Sequence, residues 1–286
     1  MISWIIAAAV TAGTGGGYAV YRAKKKKPTP APVPKPTPPP PPAPKPVPTP
    51  TPNPTPTFED DFSSGTLSSN WRVSNWTAPG NVAGANVGTF IPANVDLSQG
   101  CLCLKLQQTK NADGSVSSVG GEIQLNQLCG YGTYVYDMRA SSTSATVSGA
   151  GSAVNGQISS GFNYLPDANY NSITEIDAPE IEGQHPNQIS YTVWNNQVSE
   201  DTSAVPILSP DAQFHEYKFQ WFAGSVKFFL DGQLVYTATT NIPAQAAYMM
   251  FNHWGTNSTN WGGLATPGVD RFMYVKNFKF YANAAV

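Results

Sequence analysis

The first 57 of the chain's 286 residues carry seven lysines and arginines and no acid, whereas residues 58–286 carry nine against 18 acids, a net charge of −9. That sign speaks against nucleic acid as a partner and, more gently, against a polyanionic substrate such as a heavily sulfated polysaccharide. The three cysteines lack zinc-ligand spacing, so no zinc site is expected.

Residues 2–21, "ISWIIAAAVTAGTGGGYAVY", are uncharged and end against Arg22 and Lys24 to Lys27. A run of about 20 apolar residues with a basic flank predicts a transmembrane anchor over residues 1–27. A cleavable signal peptide fits less well, because the basic cluster comes after the apolar run instead of preceding it. Residues 28–57 hold 17 of the 26 prolines. Lacking amide donors and core side chains, this stretch predicts a disordered polyproline-II linker with a reach of about 90 Å. The positive-inside rule would put residues 58–286 on the cytoplasmic face.

Residues 58–286 form the third segment. "HEYKFQWF", "SVKFFL" and "QLVYTAT" alternate apolar with polar residues and are separated by "AG" and "DG", two hairpin signals. No sustained helical period occurs after Phe58, so an all-β sandwich of two antiparallel sheets is predicted. Cys101 and Cys103 share one strand face and do not bridge each other, while Cys129 is left able to pair with either in an oxidising compartment.

"EIDAPEIEG", residues 175–183, crowds four carboxylates into eight positions. On a plain strand Glu175 and Asp177 share a face, and the next residue on it would be Pro179. A β-bulge between Asp177 and Glu180 would free the proline and return Glu180 to that face. Four ladder steps of about 3.3 Å separate the Cα atoms of Glu175 and Glu180 by about 13 Å, leaving roughly 5 Å between inward-leaning carboxyls. That is the separation of a retaining glycosidase; the bland reading is a solvated acidic strand, which like charges so close together disfavour.

This motif resembles the active-site strand, in its bulged E-x-D-x-x-E form, of glycoside hydrolase family 16. "FEDDFSSGTLSSNW", "GGEIQLNQLCGYGTYVYDMRAS", "SGFNYL", "VKFFLDGQLVYTAT", "IPAQAAYMMFNHWG" and "DRFMYVKNFKFY" resemble other segments of that family in the right order. The resemblance implies a concanavalin-like β-jelly roll with an open cleft for a β-linked polysaccharide. By the same resemblance Glu175 is the nucleophile, Asp177 the assisting acid and Glu180 the general acid/base. Trp254 would stack on a sugar ring, and His253 and Asn252, beside it, would bind substrate by hydrogen bonds. The expected activity is endo-acting hydrolysis of a β-glucan, β-1,3 or mixed-linkage; a lectin-like binding domain and a transglycosylase on the same site are the alternatives. Two departures stand out. Val135 and Asp137 replace residues expected to contact substrate, and Lys276 occupies the position of an acidic residue that helps hold calcium, so no metal or cofactor is expected. A monomer is expected. An external polysaccharide would require the domain to lie outside the cytoplasm, in the cell envelope, secreted or on a virion surface, which conflicts with the cytoplasmic face that the positive-inside rule assigns to it.

Overall fold

The computed structural model describes residues 54–166, 173–196 and 198–286. The apolar segment 2–21, its basic flank and residues 28–53 of the proline-rich stretch lie outside them. Among the described residues no helix is long and apolar enough to cross a membrane.

From Phe58 onward, short alternating runs punctuated by Gly, Asn and Asp turns each form a strand. The first group is β1 (Phe58–Asp60), β2 (Trp71–Val73), β3 (Asn86–Phe90), β4 (Val95–Asp96), β5 (Leu102–Lys110) and β6 (Val116–Cys129), with one 3-10 turn at Pro92–Asn94. Then come β7 (Gly132–Ser142), β8 (Gln157–Pro166), β9 (Ile173–Glu182), β10 (Gln188–Asn195) and β11 (Val198–Pro206). The chain closes with β12 (His215–Phe222), β13 (Ser225–Leu230), β14 (Gln233–Ala238), β15 (Ala247–Gly255) and β16 (Arg271–Ala282). The predicted hairpins form as expected. Gly224 turns at φ +85°, and Asp231 and Gly232 at +49° and +76°, the paired left-handed residues that a two-residue turn needs.

Apart from β3, which runs parallel to residues 116–120 of β6, the strands make two antiparallel layers. The front sheet runs β11-β10-β9-β8-β15-β6, with β2 outside β6, and the back sheet runs β14-β13-β12-β7-β16-β5, with β1 beside β16 and β4 beside β5. In β12 the alternation is plain: His215, Tyr217, Phe219 and Trp221 are buried and the residues between them are not. Between the layers Tyr134 stacks on Phe219 with centroids 4.3 Å apart, while Tyr136 meets Phe251, and Tyr191 meets Phe228, across the two sheets at 5.0 and 4.6 Å. Each ring so buried contributes roughly 1.5–3 kcal/mol, enough to fix the registration of one sheet over the other.

The cysteines do not pair. All three are buried and free. Leu102 and Leu104 face the inter-sheet core with Cys129, whereas Cys101 and Cys103 face the opposite side of the back sheet, against Tyr274. The sheet itself therefore separates Cys129 from both of its possible partners.

One strand serves both layers. Residues 116–119 of β6 pair with β5, and residues 121–129 pair with β15. The crossing falls at Gly120 and Gly121, where a Cβ on Gly121 would stand 2.5 Å from the Asn94 carbonyl oxygen. Backbone cannot yield as a flexible side chain can. Gly121→Ala should therefore lower the urea midpoint by the equivalent of about 1–3 kcal/mol. Gly130→Ala should barely move it, since there a Cβ meets only Ala246 at an ordinary 3.6 Å. Equal midpoints for the two variants would contradict this account of the corner.

Candidate active site

Strand β9 turns Ile176, Ala178 and Ile181 into the core. Its other face carries Glu175, Asp177 and Glu180, which line a cleft of about 840 Å³. An unbroken alternation would not place them so. On β10, Thr192 lies opposite Asp177 and Ser190 opposite Glu180, and on β8 Phe162 and Ser160 do the same, so three steps of β9 match two of each neighbour. The extra residue is the predicted bulge; it contains Ala178 and Pro179, joined by a cis peptide bond. Tyr164 lies opposite Glu175 and Ser160 opposite Glu180, so the two glutamates are four ladder steps apart along β8.

The rest of the cleft is set by registration across the front sheet. One row runs Glu180, Ser160, Asn252, Glu122; the next runs Asp177, Phe162, Met250, Gln124, Arg72. In the first, Glu122 accepts from Ser74 Oγ at 2.5 Å and from Asn252 Nδ2 at 3.1 Å. In the second, Arg72 Nη2 donates to Gln124 Oε1 at 2.5 Å, and the guanidinium lies 5.4 Å from the ring of Trp76 and 5.6 Å from that of Tyr248. Asn252 Oδ1 and Gln124 Nε2 have no protein partner.

Burial dominates the electrostatics. It pushes Glu175 up to about 8, helped by the charge of Glu180 and opposed by a hydrogen bond from Asp177. It pushes Glu180 up to about 7, opposed by a hydrogen bond from Trp261 and aided by Glu182. Asp177 is raised well above the ordinary range by burial and then by both glutamates, although the Trp194 indole N–H donates to it. The shift favours the protonated form of Asp177, which donates a hydrogen bond to Glu175. That hydrogen bond favours the charged form of Glu175, while the repulsion between Glu175 and Glu180 keeps a proton on the pair. Glu122 is likewise raised to about 7 by burial, against the hydrogen bonds from Ser74 and Asn252.

The structure treats the three residues of "NHW" differently. Asn252 lies in the cleft floor. Trp254 reaches the cleft wall but is only 2% exposed, packed with Ala78, Phe90 and Ile158 and backing Trp261 edge-on at 4.7 Å. The open stacking face expected of it is absent. His253 points the other way, as alternation requires, and is fully buried. It donates from Nδ1 to the Ile158 carbonyl at 2.9 Å, with Ser141 Oγ 3.2 Å from Nε2. Burial pushes it down to about 3, so it is a neutral structural histidine and not a substrate ligand. Val135 and Asp137 also lie elsewhere: β7 belongs to the back sheet, pairing them with Lys218 and Glu216 of β12. Their identity does not bear on cleft contacts. Glu182 accepts from the Gly262 amide at 2.9 Å and from Gln184, and so fastens a loop.

That loop delivers a residue the sequence reading missed. Trp261 is 37% exposed and its Nε1 donates to Glu180 Oε1 at 2.8 Å. A tryptophan in the polar run "STNWGG" was the available signal, since a large ring in a loop is costly unless it is used. Trp194, Trp76 and Glu122 were missed too. Glu122 is legible only once Ile123 and Leu125 are known to face the core.

The sequence profile of Glycosyl hydrolases family 16 matches residues 87–268. A beta-glucanase of Acetivibrio thermocellus is 30% identical over 217 residues, covering 74% of this chain and 59% of that protein's length. A beta-glucanase of Paenibacillus polymyxa is 30% identical over 178 residues, covering 60% of this chain and 69% of its own. The solved structure of Bacillus licheniformis beta-glucanase superposes with a TM-score of 0.66 at 24% identity, over 79% of this chain and 98% of that one, a likeness of fold. Taken with the bulged carboxyl strand in its cleft, these matches place the chain in glycosyl hydrolases family 16.

Proposed function

We propose that this protein is an endo-acting, retaining β-glycosidase that cleaves internal bonds of a β-glucan, with β-1,3 or mixed linkage. The observation that carries this reading is the pair Glu175 and Glu180, four ladder steps apart on one face of a bulged strand with protonated Asp177 between them. Glu175 attacks the anomeric carbon while the glycosidic C–O bond breaks, and Glu180 gives its proton to the departing oxygen. Glu180, now a carboxylate, takes a proton from water. The oxygen of that water attacks the same carbon and frees Glu175. Without such chemistry, three carboxyls forced together in a cleft would be hard to account for. The names of the two beta-glucanase relatives support the substrate class, as does a cleft lined by Trp76, Trp194 and Trp261, whose flat rings suit the apolar faces of sugars. Asn252 Oδ1 and Gln124 Nε2, buried and without a protein partner, are offered to sugar hydroxyls.

Glu175→Gln should abolish turnover of every substrate while sparing fold and binding, because the amide keeps the shape but cannot form the ester. Glu180→Gln should lose the natural polysaccharide yet retain cleavage of aryl glycosides, whose leaving groups depart without protonation. Rates on both substrate types give the answer; equal losses on the two in Glu180→Gln would remove it as the acid.

The pH profile offers a second test. The reaction needs one proton on the Glu175–Glu180 pair, carried by Glu180, so kcat/KM should fall as pH rises through about 7 to about 8 and that proton is lost. The Trp261 hydrogen bond favours the charged form of Glu180, and Trp261→Phe should therefore move this alkaline limb to higher pH. An unmoved limb, or one displaced downward, would contradict the assignment.

We also propose that residues 2–21 anchor the protein and that the proline-rich stretch gives the domain reach toward a polymer too large to approach freely. Membrane fractionation of the full chain, with protease added from each side, should find it in the membrane with the domain outside the cytoplasm. Recovery in the soluble fraction would remove the anchor, and protection on the cytoplasmic face would remove the reach argument.

A further inference from the structure

A bulge leaves backbone groups that the strand ladder no longer pairs. In β9 the bulge lies at Ala178 and Pro179, between Asp177 and Glu180 in the chain, and the carbonyls of both accept side-chain hydrogen bonds. Each has a dedicated side chain. Ser160 Oγ, on the cleft side, donates to the Pro179 carbonyl at 2.8 Å. From the core side Tyr136, on the back sheet, donates to the Ala178 carbonyl and stands 3.1 Å from the Gly161 carbonyl. Tyr136 is wholly buried, and its ring is wedged against Phe251 and Tyr217 with centroids 5.0 and 6.0 Å away, so its hydroxyl has little freedom to move. Gly161 completes the fit: a Cβ there would stand 2.6 Å from the hydroxyl oxygen and 2.8 Å from Cζ. Gly161 also sits at the register shift of β8, between the partners of Asp177 and Glu180.

We propose that Tyr136 is a positioning residue for the reaction: its hydroxyl, admitted by Gly161, fixes the bulge and thereby sets where Asp177 and Glu180 stand relative to Glu175. The inference rests on the reading of that trio as the reacting groups. Tyr136 never reaches substrate; it acts through the Ala178 carbonyl, one residue from Asp177 and two from Glu180. Losing a single hydroxyl costs stability modestly. Allowing two carboxyls to drift costs rate, because misplacement of about 1 Å can slow chemistry about 100-fold.

The test is Tyr136→Phe in the full chain. The expected result is a folded protein whose kcat on a soluble β-glucan falls about 10- to 100-fold with KM little changed. Carboxyl NMR titration should show the apparent pKa values of the trio falling toward the ordinary range, as a loosened bulge admits water and relaxes the repulsion. A hydroxyl with only a structural role would lower the melting temperature but leave kcat and titration as in the wild type, and that result overturns the proposal. Should Tyr136→Phe fail to fold, Gly161→Ala displaces the same hydroxyl from the other side. It should lose kcat alike; a folded Gly161→Ala with unchanged kcat also overturns the proposal. If the wild type cleaves no β-glucan, the functional reading fails. The titration still decides the positioning claim, which stands if the trio moves in Tyr136→Phe and falls if it does not.

Discussion

Everything in the cleft depends on one unfavourable arrangement, three carboxyl groups held together on one face of β9, Asp177 buried and Glu175 and Glu180 partly so. Left alone they would repel and turn apart. They stay because each neighbouring layer removes an alternative: Ile176, Ala178 and Ile181 anchor the strand in the core, β8 and β10 pair with it on both sides, and Trp194 and Trp261 donate to two of the three groups. The result is a set that holds fewer charges than it has carboxyls, which is what a nucleophile beside a proton donor requires.

The sandwich explains how so open a site remains rigid. A cleft on the outer face of a single sheet would flex with it, but here the aromatic layer beneath ties front to back, and β6 belongs to both sheets. Glu122 and Gln124 ride on the half of β6 that lies in the front sheet. The far wall of the cleft is thus carried by the strand that turns the corner.

Period-two patterning made the strands around His215–Leu230 legible, and the spacing of "EIDAPEIEG" made the bulge legible, since proline cannot sit in a ladder. Other features required knowing which strands adjoin. His253 and Trp254 are consecutive, so a strand must send them to opposite faces; the sequence reading grouped both, with Asn252, as substrate-binding. Val135 and Asp137 are misread for a related reason, because a motif shows the face of a strand but not the sheet that strand enters. Trp261 stands 81 residues from Glu180, and no local pattern encodes a contact made by a loop.

The direction of the carboxyl shifts bears on why such a site is kept. A carboxyl whose folded-state pKa lies above its unfolded value binds more protons when folded, so its contribution to stability is greatest below the unfolded pKa and is lost as pH rises through the folded one. For Glu175 and Glu180 that window runs from the ordinary value of 4.5 up to about 8 and about 7, so the trio weakens the fold across the near-neutral range. A surface that merely bound sugar would gain nothing from this, since solvated acids or amides would serve as well at lower cost. Retention of a destabilising cluster is understandable where the raised affinity for a proton is itself used, by Glu180 to deliver one and by Asp177 to keep one. The physics of the site therefore favours catalysis over recognition, independently of any likeness to other proteins.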